Sequence, residues 1–237
     1  MPHRWLILGS GGHGRSVADA IRAQGDALLG FLDDSRSADE LVAGIPVLGP
    51  LRLAWDVKTL QCLEGASSPD RIVVAIGNPA LHQRWQQVLE AAGAPVGVVV
   101  HPCACVSTSA QLAPGCVVLA GAVVNSDARL ERGALVNSGA VVDHDAICGA
   151  YSQLGVNAAM AGGSRLGPLA SLAAGEVLGC GSERGCQVHW LLRLIRSPRR
   201  SPPPLCASGL CTQTDAVWFV GLQAFRPTEV ARCLPRR

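Results

Sequence analysis

From Val106 onward the chain repeats every six residues. Each sixth position is apolar: Val106, Leu112, Val118, Val124, Leu130, Val136, Val142, Cys148, Leu154, Met160, Leu166, Leu172 and Leu178. Four residues after each stands a small one: Ala110, Cys116, Ala122, Ala128, Ala134, Ala140, Ala146, Ser152, Ala158, Ser164 and Ala170, until Glu176 breaks the run. Neither a helical nor a simple strand period yields a strict count of six. A solenoid of short strands does, with one large inward side chain and one small corner side chain per strand. Three strands complete a triangular coil, and stacked coils bury the aliphatic column while leaving Asn125, Asn137, Asp143 and Asn157 near the edges. An Ala-rich helical array is disfavoured, because Gly115, Gly121, Gly133, Gly139 and Gly149 would each cost a helix about 1 kcal/mol relative to Ala. The pattern predicts a β-helix over 101–181.

The chain before it has a different grammar. Trp5 to Leu8 reads as a buried strand, Gly9-Ser10-Gly11-Gly12-His13-Gly14 as a turn, and Arg15 to Gln24 as a helix. A second strand, Leu28 to Leu32, ends at Asp33-Asp34. A third, Arg71 to Ile76, ends at Gly77-Asn78-Pro79 before a helix from about Ala80 to Ala92, and Val96 to Val100 reads as the last strand. Strands alternating with helices predict a Rossmann-like α/β domain over 1–100. Past Gly181 the six-residue order is lost: the next inward position is Arg184 and its corner partner is Val188. Residues 182–237 are rich in Arg, Pro, Cys and Trp and read as an irregular tail, disordered or translated out of frame.

A length of 237 residues suits two modest domains. The formal charge of +2 and a sequence pI near 8.1 are too mild to argue for nucleic acid or an anionic membrane surface. The short apolar run Trp5 to Leu8 ends in glycines with no small-residue cleavage site, so no signal peptide is expected. No stretch reaches the roughly 18 apolar residues of a membrane span. A cytoplasmic protein with reduced thiols is expected despite ten cysteines. Cys103 and Cys105 are separated by one residue and no second pair follows, which speaks against a zinc site; no metal is expected.

Gly9, Gly11 and Gly14 satisfy G-x-G-x-x-G between a strand and a helix, with Asp33 and Asp34 about twenty residues on. Glycines let backbone amides approach a phosphate at the positive end of a helix, and a carboxylate after the next strand can accept from a ribose or base. The motif alone serves NAD and a UDP-sugar equally. His82 and His101 read as structural.

The Gly-His-Gly turn, the Asp-Asp pair, the Ile76-Gly77-Asn78 turn and a hexapeptide array carrying Asp143-His144-Asp145 together resemble the PglD/NeuD sugar acyltransferases. The resemblance covers about residues 4 to 181. It implies an N-terminal domain that binds a nucleotide-linked amino sugar or a sialic-acid-like sugar, followed by a left-handed β-helix that forms a homotrimer with acetyl-CoA between neighbouring prisms. Gly11, Gly12, His13, Gly14, Asp33, Asp34 and Gly77 fall at substrate positions, with His13 near the transferred group. His144 matches the family's general base; acyl transfer needs a group that titrates near neutrality, and histidine does. Asp145 matches its acidic partner. Gln153 stands where the family commonly has a second histidine facing the acyl donor, and Gly162 where backbone lies against acetyl-CoA. Family members continue with further hexads, so an inactive homologue is an alternative reading. An NAD-dependent oxidoreductase is a weaker one.

Overall fold

A computed structural model describes residues 2–55 and 69–185. The first region is a five-stranded sheet of β1 (Arg4–Leu8), β2 (Ala27–Leu32), β3 (Leu41–Val42), β4 (Ile45–Gly49) and β5 (Arg71–Val74), in the order β3-β4-β2-β1-β5. All pairs are parallel except β3 with β4. The inner strand β1, between β2 and β5, is apolar throughout its buried length because both of its faces are covered. Trp5 and Ile7 share a core with Val17 and Ile21 of helix α1 (Gly12–Ala23), whereas Leu6 and Leu8 share another with Leu89 of helix α2 (Pro79–Ala91).

Three details depart from the sequence reading. Helix α1 begins at Gly12 rather than Arg15, so the loop glycines themselves form its first turn. The hairpin β3–β4 was not anticipated: Ala43 (φ 52°) and Gly44 (φ 73°) both take the left-handed conformation of a tight two-residue turn, but Ala-Gly is a weak turn signal and Pro46 disguises the strand. The expected last strand of the sheet divides. Val96 makes a single bridge to Ile72, and Val99–Val100 pairs with Val117–Val118 as the first rung of the solenoid. Gly97 permits the exit, since a Cβ there would lie 2.5 Å from the Trp5 ring.

The second region is a left-handed parallel β-helix with three walls. The first wall stacks Val99–Val100, Val117–Val118, Leu135–Val136, Gln153–Leu154 and Ser171–Leu172. The second stacks Cys105–Val106, Val123–Val124, Val141–Val142, Ala159–Met160 and Val177–Leu178. The third begins at Gln111–Leu112 and reaches Glu183–Arg184, which pairs with Arg165–Leu166; the ladder thus runs past Gly181, where loss of the repeat was expected. The remainder of the expected tail, 186–237, lies outside the described residues. The inward columns and small corner residues form one continuous core.

A second six-residue rule governs the turns. At the positions Gly115, Gly121, Asp127, Gly133, Gly139, Asp145, Tyr151, Asn157, Gly163, Leu169, Gly175 and Gly181, φ lies between 55° and 80°. Glycine takes this conformation freely and Asp and Asn tolerate it, but Tyr151 and Leu169 take it against their side-chain preference. At the far end the two residues that break the repeat meet: Arg184 Nη1 lies 2.5 Å from Glu176 Oε1, and Glu176 Oε2 accepts from Ala173 N.

The walls differ in what they present. Val99, Val117 and Leu135 of the first wall belong to the same core as Ile7 and Ile21, so the α/β domain is seated on this wall. Helix α2 holds the following corner: Gln86 Nε2 donates to Pro114 O, Glu90 pairs with Arg132, and buried His82 meets Tyr151 edge-on at 5.7 Å. The outward ladder of the second wall is Cys105, Val123, Val141, Ala159 and Val177, apolar and without a covering element among the described residues. No described helix is long and apolar enough to cross a membrane.

Candidate active site

Two sites emerge, on different parts of the chain. The first is a cleft of about 520 Å³ at the carboxyl ends of β1, β2 and β5, where the strand order reverses about β1. Gly11, Gly12, His13, Asp33, Asp34 and Gly77 line it on one side; Leu51, Ile76, Leu81 and Trp85 give it an apolar flank. Gly11 is the N-cap of α1 and has no side chain to cap it, so the first-turn N–H groups stay open for an anion. The N-terminus of α2 is closed instead, because Asn78 Oδ1 accepts from Ala80 N and Leu81 N. A Cβ at Gly11 or Gly77 would meet nothing within 4 Å, as expected of positions that face a ligand. Gly14 does not belong to this group: it is buried, and a Cβ there would lie 2.1 Å from Gly9 O. Its glycine is needed to pack helix against loop.

The two carboxylates divide their work. Asp33 Oδ2 accepts from Ser10 N and Oγ, and Oδ1 from Ser35 N and Oγ, so all of its acceptor capacity goes to the loop. Burial pushes its carboxyl upward, but these four bonds outweigh that and hold it down at about 2. Asp34 commits one oxygen to Leu51 N, and among the described residues nothing donates to the other. Asp34 thus keeps an oxygen that no described residue engages, whereas Asp33, which also lines the cleft, spends its oxygens on the loop. Enclosure pushes the His13 imidazole down to about 4, so His13 stands neutral in the cleft at physiological pH. Behind it His82, held at about 4 by burial first and by His13 second, has no hydrogen bond at either ring nitrogen among the described residues.

The second site is the solenoid corner that follows the second wall. His144 projects there, 61% exposed, and its Nδ1 lies 2.9 Å from Asp145 Oδ2. Asp145 sits at a left-handed position (φ 57°), which turns its carboxylate back toward the preceding residue. The bond to Asp145, then the charge of Asp143, raise the His144 pKa above its ordinary value. Gly162 stacks one coil above: a Cβ there would lie 2.5 Å from the ring's Cε1 and Nε2. The corner changes character at this level. Below lie Asn125-Ser126-Asp127 and Asp143-His144-Asp145; above lie Ala161-Gly162-Gly163 and Gly179-Cys180-Gly181, nearly bare backbone.

The chain brings His144, Asp145 and Gly162 together, and separately the cleft residues, but it does not join the two sets. The α/β domain covers the first wall, and the corner between second and third walls is the edge of the prism opposite that wall. Gln153 is apart from His144 as well: it faces outward on the first wall, one rung beyond Leu135, with a buried Nε2 that has no partner among the described residues. Sequence reasoning missed the polar stripe His82, Gln86 and Glu90 on α2. Its i, i+4, i+8 spacing was visible, but its target, the turns at Gly115 and Gly133, was not.

Comparison with known proteins agrees with this fold. The PglD N-terminal domain family matches residues 4–89. A histidine-to-asparagine mutant of perosamine N-acetyltransferase from Caulobacter crescentus, solved with CoA and GDP-perosamine, is 31% identical, with 77% of this chain and 85% of that one covered and a TM-score of 0.65. The acetyltransferase domain of PglB from Neisseria gonorrhoeae, solved with acetyl coenzyme A, is 29% identical over 78% of this chain and 94% of that one, with a TM-score of 0.64. Curated protein sequences give no match. An α/β domain joined to a left-handed β-helix is the architecture of the hexapeptide-repeat sugar acetyltransferases. The chain belongs to the PglD-type sugar acetyltransferases, which use acetyl-CoA as donor.

Proposed function

We propose that the chain transfers the acetyl group of acetyl-CoA to the amine of a nucleotide-linked amino sugar, with His144 as general base. The observation that carries this reading is the imidazole itself: Nδ1 is committed to Asp145, leaving Nε2 beside a glycine-bare corner. Nε2 takes a proton from the acceptor nitrogen as that nitrogen attacks the thioester carbonyl carbon. The tetrahedral intermediate then collapses, the C–S bond breaks, and His144 returns its proton to the departing thiolate. Asp145 fixes the tautomer and supports the imidazolium. The bare backbone at Gly162 suits close approach of the acetyl-CoA arm. In the cleft, the α1 amides would hold the diphosphate and Asp34 the base or ribose. Acyl transfer of this kind asks nothing of a metal ion.

The opposed placement of cleft and corner requires a second copy, because the acceptor held by one chain must reach His144 of another. The apolar second wall is the surface available for it, and a homotrimer satisfies both demands. The free thiols at Cys103, Cys105, Cys116, Cys148 and Cys180 suit a reducing, cytoplasmic setting.

The test is release of CoA thiol by the purified chain supplied with UDP- and GDP-linked amino sugars. His144→Ala is expected to lower turnover by roughly 100-fold or more while leaving calorimetric binding of the sugar nucleotide unchanged. Near-normal turnover in that variant would overturn the base assignment. Light scattering reads the trimer directly.

A further inference from the structure

Asn125 and Asp143 occupy equivalent places on successive coils, since Val124 pairs with Val142 immediately before them. Asn125 Nδ2 donates to Asp143 Oδ1 at 2.8 Å, and the same oxygen accepts the backbone N–H of His144 at 2.8 Å. The hydrogen bonds thus run from a side chain one coil below the base, through a carboxylate, into the peptide that carries the imidazole. Both residues are half-buried, and neither bond is needed by the ladder: Asn125 N and Asp143 N already donate to Val142 O and Met160 O. Among the described residues no side chain above supplies an equivalent brace, because the next residues in this column are Ala161 and Gly179; from that side only the backbone N–H of Gly162 bears on the Asp143 carboxylate.

We infer that Asn125 is a positioning residue for His144, acting through Asp143: it pins the Asp143 carboxylate against the turn and thereby sets both the orientation of the ring and the field it experiences. Asp143 bonds the peptide and Asp145 bonds the ring, so the imidazole lies between two anions held in different ways. The other titratable groups on this corner are Asp127, one coil below Asp145, and Cys180, two coils above His144. With Asn125 removed, Asp143 keeps only the N–H groups of His144 and Gly162, so its carboxylate is held less firmly and its field at the ring weakens. The hydrogen bond first, and the nearby imidazole among the lesser causes, lower the Asp143 pKa, so the carboxylate stays ionised wherever His144 titrates. This inference rests on His144 being the base only for its effect on rate.

The experiment is NMR titration of the His144 imidazole in the whole chain, for wild type, Asn125→Leu, Asp143→Asn and the double variant, with thermal melting of each as a control for folding. Asp143→Asn should move the titration to lower pH. Asn125→Leu should move it the same way by a smaller amount, and the double variant should titrate like Asp143→Asn alone, the non-additivity expected of groups that act in series. In the assay, Asn125→Leu should lower kcat by about threefold to tenfold with KM little changed, and shift the ascending limb of the pH profile downward. A wild-type titration in Asn125→Leu, or an equal further shift on the Asp143→Asn background, would overturn the proposal. Loss of activity in every variant with the expected titrations would instead count against the proposed acetyl transfer while leaving the relay in place.

Discussion

The cleft and the corner are polar sites made in opposite ways. In the cleft most polar atoms are spent holding the backbone: Asp33 serves Ser10 and Ser35, and Asn78 caps α2. Among the described residues, what remains for a ligand is largely main chain plus one oxygen of Asp34. At the corner the ladder satisfies the N–H groups of Asp143 and Asp145, and only the N–H of His144 draws on a side chain, so the His144 ring and Asp145 are left to bond one another. A parallel solenoid supplies its own scaffold and leaves its edge side chains for chemistry, whereas an α/β loop must build its scaffold from the residues that flank the site.

Four substitutions sharpen that contrast. Gly162→Val should be the most damaging, because the new side chain must enter the space of the imidazole while the ladder around it stays paired. Turnover should fall by about 100-fold, as a displacement of the base near 1 Å costs, with little change in melting temperature. Unchanged turnover would mean that the ring does not work in this orientation. Asp34→Ala should weaken sugar-nucleotide binding by about tenfold in calorimetry, the loss expected of one hydrogen bond to a charged group, and equal binding would deny Asp34 its reading role.

Leu169→Gly should raise stability by about 1 kcal/mol, since it removes a left-handed leucine at φ 60°. Chemical denaturation measures this, and a loss would show that the Leu169 side chain packs more than its backbone strains. The smallest effect concerns Asp33. Its folded pKa of about 2 lies below the ordinary 3.8, so its contribution is complete above about pH 4 and is lost as pH falls toward 2. The stability gap between wild type and Asp33→Asn should therefore hold from pH 6 to about pH 4 and narrow from there toward pH 2 in urea melts. A constant gap would assign the carboxylate no special bonding in the folded chain.

Much of this was legible in the chain, for a local reason. The solenoid's inward and corner positions recur without reference to anything distant, so Val106 to Leu178 could be counted. The turn glycines were visible too, although the rule they belong to includes Asp127, Asp145, Tyr151, Asn157 and Leu169, which no composition signal marks. What stayed hidden depends on partners far along the chain. Asp33 and Asp34 look alike until Ser10 and Leu51 choose between them. Val96 to Val100 reads as one strand until Trp5 and Val117 divide it. His82 and Gln86 acquire a role only when α2 meets the turns at Gly115 and Gly133, and Asn125 only when Asp143 stacks above it.

The Glu176–Arg184 pair, at the end of the apolar column, makes the solenoid's behaviour depend on the kind of denaturant as well as its strength. Arg184 stacks above Leu166, and Glu176 stands in register with Ala158, so two charges take over positions that oil fills elsewhere. Ions screen such a contact and urea does not. Guanidinium chloride should therefore open the ladder around this pair at concentrations where urea of matched denaturing power leaves it closed. Hydrogen exchange at the amides of Arg165 and Gly167, which the last strand holds through Ser182 O and Arg184 O, would register the difference first.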